Sequence, residues 1–270
     1  MPFRQAPLFI VFMLLLTIVA FWPGYFSDLA NAPWGFHFHG ITAMTWMVVV
    51  ALQSWSIHAR QRDLHRATGI GSLAFFPFFL AGTVAVILSM ARATPTDAFY
   101  RIYGPRLGIG DALAPFVLGW LFYHALGERH NIQLHARYIL ATPLLLIMPV
   151  VARLLEHFVP ALQIHGPDDF PLFAWSLRVS GLVALAWAAG LYATSPRNGR
   201  PFFAAGAAIL IQTVSFDSIG FADMWKSAFI AFGQLPVLPV LMISLAAGAA
   251  LSVLGWRAGL VSRRQAAMSN

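Results

Sequence analysis

At 270 residues, with 59% hydrophobic and only 10% charged side chains, the chain is too apolar for an ordinary soluble domain and has no polar tract long enough for a second one, so residues 1–270 read as one integral membrane domain. The formal net charge of +7 sits in loops and tails, where membrane orientation accounts for it, and is not a nucleic-acid signature. With no cysteine there is no disulfide, thiolate ligand or cysteine nucleophile, so a metal or haem would fall to His, Met or carboxylates.

Eight apolar stretches follow in order, at residues 8–27, 34–59, 67–91, 107–127, 136–158, 172–194, 202–221 and 237–256. At about 1.5 Å rise per residue, each crosses a hydrocarbon core of ~30 Å. An all-α polytopic bundle of eight transmembrane helices is predicted. Ala30-Asn31-Ala32 loosely resembles a signal-peptidase site, but Pro33 follows it and the apolar run is long, so the first helix is read as retained. Pro33, Pro95, Pro105, Pro160, Pro167, Pro171, Pro196 and Pro201 fall in connections, and interior Pro77, Pro115, Pro143 and Pro149 predict kinks. The stretch from Asp223 to Gln234 reads as an interfacial helix; its fusion with the last helix gives a seven-span alternative.

Connections alternate in charge. Arg4, then Arg60, Arg62 and Arg66, then Arg129 and Arg137, Arg197 and Arg200, and Arg257, Arg263 and Arg264 share one side. Asp28, Glu156, Asp168, Asp169, Asp217 and Asp223 share the other. Both termini are therefore predicted to be cytoplasmic. The loop 92–106 breaks the pattern with Arg92, Arg101 and Arg106 against Asp97, as a segment holding an anionic group would.

Polar residues form two stripes. In the second span His39, Trp46, Gln53 and Arg60 recur at steps of seven, which drift by only about 20° each and so line one face toward the bundle. In the fifth span His135, Tyr138, Thr142, Pro149, Arg153, Glu156 and His157 share a face. His39, Asp111, Arg153, Arg178, Glu156 and His157 fall in the outer third, where an arginine is costly unless paired, so Asp111 is expected to meet Arg153 or Arg178. The inner end gathers His58, His65, Arg66, His124, His130, His135 and Arg137, the composition of a basic cytoplasmic rim.

Three functions compete. Histidines near both faces suit a b-type haem protein, whose iron takes neutral imidazoles and whose propionates pair with arginines. In that reading His39 and His157 are the axial candidates, Arg153 and Arg178 bind carboxylates and Asp111 fixes one arginine. His39 and His58, nineteen residues apart and about 100° out of phase, do not form the two-ligand helix of diheme cytochromes, which leaves one haem near the outer face. The alternative is a cofactor-free ligand-binding, transport or assembly subunit, with Asp111, Arg153, Arg178 and His39 around an anionic or quinone-like ligand. The third is a non-haem metal oxygenase using His124, His130 and His135, which lack the helix-face spacing of three or four that such sites use.

The string His37-Phe38-His39-Gly40, with Trp46, Gln53 and His65-Arg66-x-x-Gly69, resembles a family of uncharacterised bacterial multipass membrane proteins, and Asp111, His135-x-Arg137 and Arg153 form a second matching block. The likeness spans about half of the chain, from the second to the fifth span, and is distantly reminiscent of b-type transmembrane cytochromes. It implies a bacterial cytoplasmic (inner) membrane location, involvement of haem or quinone, and added weight for His65 and Arg66. The combined expectation is a redox or electron-transfer protein with a polar cavity toward the outer half, between the second, fourth, fifth and sixth spans. Its partners would be lipid and a quinone or another membrane subunit.

Overall fold

The computed structural model describes residues 3–268, with side chains as far as Val261; the expected tail charges Arg263 and Arg264 lie outside the described side chains. Among these residues ten α-helices form and no strand. They are α1 (Ala6–Phe21), α2 (Trp34–His58), α3 (Arg62–Ala93), α4 (Ala98–Gly127), α5 (Ile132–Ala141), α6 (Ile147–Phe158), α7 (Phe170–Ala193), α8 (Arg200–Phe216), α9 (Asp223–Gly233) and α10 (Val237–Met268). Seven segments are long and apolar enough to cross a membrane: α2, α3, α4, α5 continued through a 3-10 turn into α6, α7, α8 and α10. The chain is a multi-pass membrane protein.

The first helix is shorter than expected, with 16 residues, yet it runs beside the bundle from end to end. Phe3 before it packs edge-on to Phe202 at the start of α8, and Trp22 after it lines a cleft with His157 at the end of α6. The Arg200–Glu128 ion pair joins the start of α8 to the end of α4, and Arg129 donates to the Trp256 carbonyl of α10. Both the first and the last helix thus reach the same end, here named the basic end for Arg60, Arg62, Arg66, Arg129, Arg200 and Arg257. The opposite, mixed-charge end carries the other connections.

α3 and α4 form the centre. α2 and α10 flank α3; α8 and α10 flank α4; α7 packs on α8 and α6, and α6 on α1, which returns to α2. Two glycines of α10, seven residues apart, set its approach: a Cβ on Gly248 would stand 2.6 Å from the Pro77 backbone, and one on Gly255 2.9 Å from the Tyr123 carbonyl. The small-residue face of α10 is therefore spent within the chain. α9 remains a separate helix, divided from α10 by Pro236; the candidate spans are seven rather than the expected eight because α1, with 16 residues, is too short to be one, and not by fusion at α10.

One boundary corrects the sequence reading, and one expected break is realised. α4 starts at Ala98, nine residues before the expected 107, because the Asp97 carboxylate caps it by accepting from the Phe99 and Tyr100 amides at 2.9 Å each. Pro105 then lies inside the helix instead of in a connection. The predicted break in the fifth span is realised at Thr142–Leu146, a 3-10 turn that starts beside Pro143, whereas Pro77 and Pro115 are held inside α3 and α4.

Candidate functional site

The two polar stripes meet at an aromatic layer. Trp46 of α2 is buried and stacks on Phe79 at 5.2 Å, with Phe76 and Phe122 each 5.5 Å away, and its indole N–H donates to the Thr142 hydroxyl at 2.9 Å. This layer ties α2, α3, α4 and the turn between α5 and α6 at mid-bundle. Helix phase then places the remaining residues, because α2 and α4 run one way and α5 and α6 the other.

Toward the basic end, one step of seven on α2 reaches Gln53 and one on α5 reaches His135, each about 10 Å below the layer. The Gln53 amide donates to the His65 carbonyl at 2.8 Å and to Thr68, and His65 Nδ1 donates to the Gln53 carbonyl at 3.1 Å. His135 Nδ1 donates to the Ala125 carbonyl at 2.7 Å, and His124 lies against Trp120 and Tyr138. His65 is therefore a tie between α2 and α3, while Arg66 stands exposed at the rim. Arg60 leaves the expected stripe, since α2 ends at His58 and Arg60 adopts φ 61°.

Toward the mixed-charge end, one step of seven outward on α2 reaches His39. Eleven residues outward from Phe122, about 20° from its face, lies Asp111. His39 Nδ1 is buried without a hydrogen-bond partner, and among the described residues Asp111 forms no ion pair. Both sit deep among protein atoms yet keep partial accessible surface. The helix packing explains this, because α6 packs on α1 and α7 while neither α2 nor α4 packs extensively on it. Arg153 of α6 lies here over Phe173 and Phe99, and Tyr100 of α4 is within electrostatic reach of both Arg153 and Asp111.

The expected pairing of Asp111 with Arg153 or Arg178 does not form. Arg153 pairs with Glu156 one turn away at 2.9 Å, and Arg178 holds Asp217 through Nε at 2.6 Å and Nη2 at 3.0 Å. The carboxylate that the sequence did not single out is thus Asp217, at the end of α8. It also accepts from Arg106 at 2.7 Å, and the Arg106 guanidinium lies over Phe216 and Phe221 and donates to the Phe216 carbonyl. Arg92 donates to the Gly233 and Leu235 carbonyls at the end of α9. Two arginines of the anomalous 92–106 segment are therefore consumed within the chain.

The histidines proposed as a facing pair are held differently. His157 lines a cleft with Ile18, Val19, Trp22 and Pro23 beside α1, and no hydrogen bond or ring contact among the described residues joins it to His39. His37, on the other side of α2, accepts from the Tyr25 hydroxyl at 2.9 Å, and burial pushes that phenol above its ordinary range. Among the described residues no group of three or more His, Asp or Glu is placed to hold a metal ion. Comparison with protein-family models, curated proteins and solved structures finds no match to this chain.

Proposed function

We propose that this chain is a bacterial inner-membrane protein that binds a small quinone-like ligand between α2, α4 and α6, on the mixed-charge side of the Trp46 layer, in a redox role. One observation carries the reading: among the described residues the buried His39 Nδ1 has no hydrogen-bond partner and Asp111 no ion pair, and their helix positions put both on the mixed-charge side of the Trp46 layer. Polar groups at that depth are expensive unless used, and a ring with two carbonyls would accept from the imidazole N–H on one side and from a protonated carboxyl on the other. Phe and Trp faces suit its flat apolar body.

A free anion is a poorer fit, because Arg153 is already neutralised by Glu156. Surplus positive charge lies at Arg106 and Arg178, which share one carboxylate. The haem reading asks for a second axial imidazole opposite His39, and His157 turns instead to the α1 cleft.

The test is a titration of the detergent-purified protein with a short-chain ubiquinone, read by tryptophan fluorescence, alongside oxidised and dithionite-reduced absorption spectra. Saturable binding that weakens about tenfold in both His39→Ala and Asp111→Ala supports the proposal, a hydrogen bond to a buried group being worth roughly that factor. Binding that neither variant changes overturns it. A reduced α-band lost in His39→Ala would replace it with the haem protein.

A further inference from the structure

On the lipid-facing side, α3 and α10 diverge around a cleft of about 710 Å³ walled by Leu73, Pro77, Phe78, Met242, Val253 and Trp256. The Gly248 contact with the Pro77 backbone fixes the approach of the two helices on one side, and the Ser252 hydroxyl donates to the Leu73 carbonyl at 3.0 Å. Phe78, Met242 and Val253 are each about half exposed, so the cleft opens onto the bilayer.

That cleft has a charged mouth. The Ser252–Leu73 bond sets the register of two antiparallel helices, and from it Arg257 lies five residues toward the basic end and Arg66 seven, about 8 and 10 Å away. Seven residues on α3 also return Arg66 to the face of Leu73, which walls the cleft, and Arg257 itself lines it. Both arginines are exposed, and neither has an ion pair, hydrogen bond or ring contact among the described residues. Asp63, about 60° off the Arg66 face, is outnumbered there by Arg60, Arg62, Arg66 and Arg257.

We propose that this cleft is a binding site for an anionic phospholipid, with one acyl chain against α3 and α10 and the phosphate between Arg66 and Arg257. The chain alone earns no selectivity, because lipid tails are as apolar as the protein wall they would touch. Discrimination rests on the positive charge of the two guanidinium groups, which favours a headgroup with net negative charge over a zwitterionic one. The site explains why Arg66 is left unpartnered while its neighbour His65 is tied to α2.

The test is native mass spectrometry of the purified full chain with phosphatidylglycerol, phosphatidylcholine or soluble glycerol phosphate. Phosphatidylglycerol should be retained at one per chain, phosphatidylcholine weakly and glycerol phosphate not at all. The double variant Arg66→Gln/Arg257→Gln should lose about thirtyfold in phosphatidylglycerol affinity, two guanidinium contributions near an anionic surface. Arg66→Lys/Arg257→Lys, which keeps the charge, should lose far less, which separates lost charge from misfolding. Ala249→Phe, which fills the cleft, should also release the lipid. Equal retention of the two phospholipids, binding of glycerol phosphate alone, or retention unchanged in the glutamine pair or in Ala249→Phe would each overturn the assignment.

Discussion

The indole N–H of Trp46 donates to the hydroxyl of Thr142 at 2.9 Å, joining α2 to the turn where α5 gives way to α6. Two terms can be separated at this contact. Trp46→Phe keeps an aromatic in the layer and removes the hydrogen bond, at a cost of about 1 kcal/mol. Trp46→Ala also opens a hole among Phe76, Phe79 and Phe122 and should cost about 3–5 kcal/mol. Denaturation midpoints in detergent should rank parent, Phe variant and Ala variant in that order; an Ala variant as stable as the Phe variant would show that the layer is not packed as described.

Asp217 serves two arginines that differ in exposure: the Arg106 side chain is 8% exposed and that of Arg178 37%. Asp217→Asn leaves a buried guanidinium without its counter-charge, and removing one partner of a buried pair costs about 3 kcal/mol or more. Arg178→Gln removes only the more exposed partner, and about 1 kcal/mol or less is expected. Thermal unfolding of the two single variants should therefore show the larger loss for Asp217→Asn. Equal small losses would mean that Arg106 finds water at the mixed-charge end.

The stripes were legible because their period is a property of the helix: His39, Trp46 and Gln53 face inward as the steps of seven require, and Thr142 meets Trp46 from the second stripe. Ion pairing was not legible in the same way. Residues 106, 178 and 217 come from three helices, and nothing in their spacing says that α8 ends beside the buried turn of α4. The early start of α4 was masked because Pro105 reads as a breaker, whereas Asp97, a capping residue at the right place, was the available signal. The α6 cleft around His157 depends on α1 packing against α6, a pairing of helices distant in sequence.

Arg60 ends α2 in a Schellman motif: the Gln61 amide donates to the Ser56 carbonyl at 2.8 Å and the Arg60 amide to Ile57 at 3.3 Å. Arg60 itself takes φ 61°, a left-handed conformation that glycine adopts without Cβ strain. Arg60→Gly should therefore stabilise the protein by about 1 kcal/mol, despite removing a rim charge, and raise its unfolding temperature. An unchanged or lowered temperature would show that the Arg60 side chain contributes more than the strain it imposes.

Phe229 is the buried aromatic at the centre of the α9 contact. Phe229 is buried against α3 and α4, and a Cβ on Gly108 would stand 2.2 Å from its ring, among ring atoms that have no room to retreat as one flexible end. Gly108→Ala should cost about 1–3 kcal/mol by overpacking. Most of that cost comes from this one contact, so Phe229→Leu, destabilising alone, should relieve it in the double variant, and the two effects should fall short of their sum by more than about 0.5 kcal/mol. Amide exchange across Asp223–Gly233 gives a local readout, because Gly108→Ala should loosen α9 while the Trp46 layer keeps its protection. Additive losses, or protection lost across the whole bundle, would mean that Phe229 does not seat α9 on α4.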